Sequence, residues 1–376
     1  MTDDLLRLSD WLSSEGCTHV AIESTSIYWK PVFNILEGAV TIILVNARDA
    51  KAVPGRKTDV RDCEWLADLL RHGLLRASFI PPLEIRELRE LTRYRQTLVK
   101  EHTAIANRIQ KLIESANIKL GQVATDVLGV SGRSMLHALA AGEQDSAQLV
   151  ELARGSLKRK KSELRRALTS RLTAAQRFVL GELLLRLTEL EAATVRVSEQ
   201  IVKQVAENDD PFVAQAVQLL QSVPGIALRV AEVVVSEIGV DMTRFPTDAH
   251  LASWAGLCPG NNESAGKRRS GQTTKGSPYL RAAITQAAWA AAHTKNTYLA
   301  AQYHRLIKRM GKNKALVAVA HSLLVIVYHV LARRAGYHEL GGDYFDRQQQ
   351  HLQQQRLVRR LEAMGLKVTV EAQQPM

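Results

Sequence analysis

An α+β protein of several domains is what the sequence predicts, on three observations. Two short apolar runs of strand length, residues 19–22 and 40–45, flank a helical stretch at residues 29–36, which is the order of an α/β layer. From Pro82 the composition shifts to long polar helices with few breakers. Beyond Pro211 it shifts again, to apolar helices joined by a Pro-Gly turn and by a basic loop rich in Gly, Ser and Asn. The expected organisation is an α/β domain over residues 1–81, a helical coiled-coil region over 82–209, a mostly α C-terminal domain with a helix-hairpin-helix-like element over 210–340, and a polar tail over 341–376. A chain of 376 residues is long enough for two or three such domains.

Taken in order, residues 1–16 read as an amphipathic helix, with Leu5, Leu8 and Leu12 on one side, ending at Gly16. Glu23 follows directly on the first strand. In open α/β sheets the carboxyl ends of strands are where sites form, although an acid there is commonly a solvated edge residue. Residues 46–73, NARDAKAVPGRKTDVRDCEWLADLLRHG, hold the next helix, with Thr58 as its N-cap and His72 near its end. Arg61, Glu64, Asp68 and Arg71 share one face of it. Asp59 and Asp62 share the other with Trp65, Leu66, Leu69 and Leu70, the arc expected to face the core. Carboxylates on a buried face need a cationic partner, and a hard divalent ion such as Mg2+ takes oxygen ligands of this kind. The alternative is an acidic first turn favoured by the helix dipole.

Residues 85–117 and 162–207 keep a helical rhythm and are long enough to pair as an antiparallel coiled coil, with Arg95 and His102 interrupting the seam. Their role is subunit pairing or clamping of nucleic acid, or else a helical stalk within one chain. Between them, short helices are expected around Gly129, Gly132 and Gly142. In QSVPGIALRVAEVVVSEIG, residues 221–239, the turn at Gly225 resembles a helix-hairpin-helix that offers backbone N–H groups to a phosphate, with Ala227 where a second glycine is usual. A plain helix pair is the rival.

The loop GLCPGNNESAGKRRSGQTTKGSPYLR, residues 256–281, lies between Trp254 and an Ala-rich helix that opens at Pro278. Ser264 could attack a phosphate while Lys267, Arg268 and Arg269 stabilise the developing charge, with Lys275 as a further phosphate contact. Ser270 is its nearest competitor, and a merely solvated serine is the bland reading. Two Ala-rich helices follow, over residues 278–309 and 313–334, with His321 and His329 read as core residues. The tail reads as a short basic helix followed by disorder.

A net charge of +12 points to a polyanionic partner, with basic clusters at residues 158–161, 267–269 and 308–314. Three cysteines, Cys17, Cys63 and Cys258, are too widely spaced for a disulfide framework or a zinc site, which fits a reducing compartment. The longest apolar run, residues 315–332, is interrupted by His321, Ser322 and His329. It reads as a buried helix, and the chain as cytoplasmic, without a membrane partner.

The motifs GRKTDVRDCEWLADLLRHGLL, IEST, VPGI and ESAGKRRSGQTTKGSPYLR together resemble the DEDD transposases of bacterial insertion sequences, of the IS110 and IS1111 type, over nearly the whole chain. The resemblance implies a RuvC-like, ribonuclease-H-like N-terminal domain that binds Mg2+ through four acids. It also implies a nucleophilic serine in the C-terminal domain, double-stranded DNA as substrate, a structured noncoding guide RNA, and a homo-oligomer, dimer or tetramer. By position Glu23 matches the second acid, Asp59 and Asp62 the third and fourth, and Ser264 the serine. The first acid belongs to an opening strand. Asp3, Asp4 and Asp10 do not match it, so the expectation is a domain incomplete at its N-terminal edge, whose first acid lies upstream or has been lost. Two other classes fit the same residues: a RuvC-like junction nuclease that uses water, and a catalytically dead nucleic-acid-binding remnant.

Overall fold

An apolar run of Val20, Ala21 and Ile22 between His19 and Glu23 builds the first strand, β1 (His19–Glu23), and a run of Ile, Leu and Val builds the second, β2 (Thr41–Val45). The computed structural model describes residues 1–46, 59–260, 262–270, 272–365, 367 and 369. It divides into two compact units, Met1–Pro82 and Leu83–Met376.

In the first unit, α1 (Thr2–Ser14) buries Leu12, and α2 (Trp29–Leu36) crosses between the strands with Phe33 and Leu36 buried. The strands pair in parallel from His19↔Thr41 to Glu23↔Val45, so the strand, helix, strand order stands as expected. After α3 (Asp59–Arg71), which packs against β1, the chain returns to flank β2: Ala77 bridges Val45, and the Ser78 N–H donates to the Leu44 carbonyl at 2.7 Å. On the charged face of α3, Arg71 pairs with Asp68 at 3.0 Å. Thr58, the expected cap, lies outside the described residues.

The second unit is built on two 33-residue helices, α4 (Leu83–Ser115) and a partner described below as α9. From the end of α4 the chain passes through α5 (Leu120–Val123), α6 (Val130–Ala141), α7 (Ser146–Glu151), a 3-10 turn at Gly155–Lys160 and α8 (Lys161–Ala167). These short helices close an apolar core in which Met135, Leu136, Leu139, Leu149, Leu164 and Leu168 are fully buried.

One expected helix over residues 162–207 is in fact two. α9 (Ala174–Ala206) starts afresh because Thr173 and Gln176 cap it reciprocally, Gln176 N–H to Thr173 Oγ1 at 3.2 Å and Thr173 N–H to Gln176 Oε1 at 2.9 Å. α4 and α9 run antiparallel, since Glu87 meets Gln204 at 3.2 Å while His102 meets Glu191 at 3.1 Å. Arg133 of α6 also binds Glu191, and these hydrogen bonds hold that carboxyl down at about 2.

Beyond residue 207 come α10 (Phe212–Leu220), α11 (Leu228–Ile238), α12 (Asp248–Trp254), α13 (Pro278–Ala292), α14 (Tyr298–Met310), α15 (Lys312–Arg333) and α16 (Tyr344–Glu362). The single helix expected over residues 278–309 is broken. Asn296 has φ 59, and Thr297 Oγ1 accepts the Ala300 N–H to start α14. The tail holds a helix of 19 residues, longer than expected.

α15 is long and apolar enough to cross a membrane, the one such helix among the described residues. Its Val319, Leu323, Leu324 and Val327 are instead fully buried against α10, α12, α13 and α14. His329, read as a core residue, reaches Asp248 at 3.4 Å.

Alanines 287, 288, 291 and 292 are buried on α13 and let its neighbours approach closely. The closest approach is at Gly225, φ 87, where a Cβ would lie 2.2 Å from the Ala287 carbonyl oxygen and 2.8 Å from the Ala291 nitrogen. The expected phosphate contact at Gly225 therefore meets a packing reason for the same glycine. Gly225→Ala combines a backbone clash with a left-handed conformation and is expected to cost about 2–4 kcal/mol in urea unfolding. A loss below about 0.5 kcal/mol would show that the turn can move away.

Candidate active site

Glu23 ends β1, and the chain turns sharply after it. The Ser24 N–H still bonds to Val45 O at 2.8 Å, the Thr25 N–H bonds back to Glu23 O at 2.9 Å, and Ser26 sits at φ 52. Thr25 Oγ1 donates to Glu23 Oε1 at 3.1 Å, which orients a half-buried carboxylate at the carboxyl end of the strand.

Asp59 opens α3, and its side chain lies outside the described residues. Asp62 is exposed, which corrects the expected buried face. Burial on α3 begins one turn later, at Trp65 and Leu66, where the helix meets the sheet. An exposed carboxylate is solvated by water, so burial at Asp62 does not call for a cation. By donor chemistry, carboxylate oxygens on β1 and on the first turn of a helix packed against β1 fit a hard divalent ion. Among the described residues, no group of three His, Cys, Asp or Glu side chains is placed to hold a metal.

The serine loop, expected as irregular, contains a β-hairpin. β3 (Asn262–Ser264) pairs antiparallel with β4 (Lys267–Ser270), Ser264 opposite Lys267 and Glu263 opposite Arg268. The two residues between the strands, Ala265 and Gly266, have φ 51 and 73, the signs a type I′ turn requires. Alanine there costs about 1–2 kcal/mol relative to an unstrained backbone. Ser264 is thus the last strand residue before a strained two-residue tip. The side chains of Ser264, Lys267, Arg268, Arg269 and Ser270 lie outside the described residues, whereas Lys275 is exposed at the base of the hairpin.

That base is a tight neck. The Gly260 N–H donates to Gln272 O at 2.8 Å, Pro259 bridges Thr273, and a Cβ on Gly256 would lie 2.6 Å from both Gly276 N and Thr274 O. One residue on, Ser277 caps α13 by accepting the Leu280 N–H and donates its hydroxyl to Glu237 Oε2 at 3.0 Å. Glu237 is buried and receives Arg93 through two bonds of 2.7 and 2.9 Å. Arg89 donates to the Ser236 and Glu237 carbonyls at 2.9 and 2.7 Å, and burial lowers its guanidinium to about 10. Arg93 also lies over the Tyr279 ring at 4.6 Å.

The hairpin therefore springs from a fixed ionic hub that joins α4, α11 and α13. Sequence reasoning missed Arg89, Arg93 and Glu237. The Ser-Pro pair at residues 277–278 is the legible signal, since it marks a capped helix start. Acids and serine fall in different compact units.

Residues 1–118, which hold all three acids, match a family model for the DEDD transposases of IS110, described as "Transposase". Residues 217–305, which hold the hairpin, match the model "Transposase IS116/IS110/IS902 family". The chain is similar to the "Transposase for insertion sequence element IS1111A" of Coxiella burnetii, 25% identical over 292 residues, covering 76% of this chain and 69% of the relative. It is also similar to the "Insertion element IS110 uncharacterized 43.6 kDa protein" of Streptomyces coelicolor, 30% identical over 232 residues, covering 59% of this chain and 57% of the relative. With one model over the acid-bearing unit and a second over the hairpin and its supporting helices, the chain belongs to the IS110 family of insertion-sequence transposases.

Proposed function

We propose that the chain is the recombinase of its insertion sequence, cleaving and rejoining DNA through Ser264. The observation that carries this reading is the placement of Ser264 beside a strained turn on a hairpin rooted in a rigid neck. A nucleophile needs to project from its support while that support stays still. In the breaking step the Ser264 Oγ–phosphorus bond forms as the bond from phosphorus to the 3′ oxygen breaks. The seryl proton ends on the released 3′-hydroxyl. A 3′-hydroxyl from the exchanged strand then attacks the phosphoserine and frees the serine. Lys267, Arg268, Arg269 and Lys275 neutralise the phosphates on either side.

Glu23, Asp59 and Asp62 would hold the divalent ion, Mg2+ in this reading, which supplies positive charge at the scissile phosphate when bound. Residues 1–81 then act as a RuvC-like domain, residues 82–209 as a helical arm, residues 210–340 as the serine-bearing domain and residues 341–376 as a tail. Double-stranded DNA is the substrate, with a structured noncoding RNA as guide. Several DNA ends must be held at once, which favours a homo-oligomer.

The test is cleavage of DNA bearing the element's ends in water enriched in oxygen-18. A serine nucleophile leaves a protein–DNA adduct at residue 264 and no label in the product phosphate. Label in that phosphate would instead identify a nuclease that uses water. Asp62→Asn removes one metal oxygen from an exposed position. It is expected to slow cleavage about 100-fold or more while the melting temperature stays put, and wild-type cleavage by this variant would remove Asp62 from the metal site.

A further inference from the structure

Between Glu263 and Glu339 the chain carries no acidic residue for 75 consecutive positions, and the same stretch holds 13 Lys and Arg, more than the net charge of +12 on the whole chain. Residues 264–338 include all of α13, α14 and α15. Arg305, Lys308, Arg309, Lys312 and Lys314 are exposed on them, and Lys295 is exposed in the link between α13 and α14. So one-sided a charge balance matches a polyanion.

Within this field one side chain is out of place. Trp289 is 58% exposed, while Ala287, Ala288, Ala291 and Ala292 on the same helix are buried. Trp289 borders a groove of about 610 Å³, lined from α13 also by Arg281, Ala282, Thr285 and Gln286, and from α15 by Leu316. No carboxylate lines it.

The indole is held in place. The His293 ring lies against it with centroids 4.5 Å apart and planes at 37°, and His293 Nδ1 is 2.7 Å from the Trp289 carbonyl oxygen. The buried Tyr303 backs His293 at 6.2 Å. A supported aromatic face, a guanidinium on the same helix face, an amide and a hydroxyl able to reach a base edge, and a lining without acids are what an unpaired nucleobase and its phosphate require. A duplex keeps its base faces stacked inside and would leave the indole unused. An apolar peptide would leave the cations unanswered.

We propose that the groove at Trp289 binds single-stranded nucleic acid, one unpaired base stacking on the indole while Arg281 meets the adjoining phosphate. The proposal rests on the recombinase reading only in taking nucleic acid as the partner.

It is tested with the full chain by titrating single-stranded DNA, single-stranded RNA of the same sequence, and the matching DNA duplex at one salt concentration. Trp289→Ala is expected to weaken single-strand binding about tenfold or more, with Trp289→Phe retaining most of the affinity and duplex binding unchanged. Because the side chain is exposed, the melting temperature of both variants should match that of the wild type. Tighter binding of the RNA or of the DNA strand assigns the groove to that polymer, and either supports the proposal. Equal single-strand affinity for wild type and Trp289→Ala overturns it. So does a fall in solution mass for Trp289→Ala with binding unchanged, which would make the groove an interface between copies. A wild-type chain that binds no nucleic acid and forms no adduct would overturn the recombinase reading as well.

Discussion

Ser264→Ala is expected to abolish the protein–DNA adduct and to lower strand cleavage by about 10⁴-fold or more. The size follows from the role: a missing nucleophile removes the bond-forming step itself, whereas a missing phosphate contact only weakens binding. The variant should fold as the wild type does. Alanine suits an antiparallel strand end, and the strain at the tip belongs to Ala265, one residue further on. Binding to DNA should persist, because Lys267, Arg268, Arg269 and Lys275 remain. Denaturing gels read the adduct and filter binding reads the affinity. Cleavage by Ser264→Ala at an undiminished rate would end the serine mechanism. Loss in Ser270→Ala alone would move the nucleophile to the far end of β4.

Glu232→Ala is expected to destabilise the unit Leu83–Met376 by about 3–5 kcal/mol. Glu232 and Arg95 are 1% and 4% exposed and approach to 2.6 Å between α11 and α4. Among the described residues neither Arg95 Nη2 nor Glu232 Oε2 has a hydrogen-bond partner, so the two are held at close range by opposite charge. Removing it strands a positive charge in the interior, where desolvation outweighs anything regained from a smaller side chain. The pair Arg95→Met with Glu232→Leu should recover most of the loss, because two apolar groups cost nothing to desolvate. Breaking the exposed pair Arg186–Glu189 should cost under about 0.5 kcal/mol. Urea midpoints for the four proteins give the comparison, and a loss below about 1 kcal/mol for Glu232→Ala would show that water reaches the pair.

Arg95 also shows where sequence reading stops. From periodicity it interrupts an apolar seam, along with His102. In the structure each meets an opposite charge from elsewhere, Arg95 at Glu232 and His102 at Glu191. Those partners are 137 and 89 positions away in the chain, and nothing local marks them. Broken helices were more accessible. Thr173 with Gln176 is a capping box written in four consecutive residues, and Asn296 with Thr297 is a stop and a start side by side. Both are short-range signals that apolar rhythm alone overrides.

By itself the sequence determined the strand, helix, strand layer, the acid at the end of β1, the helix that opens at Asp59 and the family to which the motifs point. Each depends on neighbours within one or two turns, where backbone preference and side-chain period act directly. Only the tertiary structure decided that Asp62 is exposed, that Ser264 stands beside a strained hairpin tip, that Glu237 ties α4 to α13, and that Trp289 faces outward. Burial and pairing of charge are properties of distant segments brought together, and a period of 3.6 residues says which side of a helix is apolar without saying what will cover it.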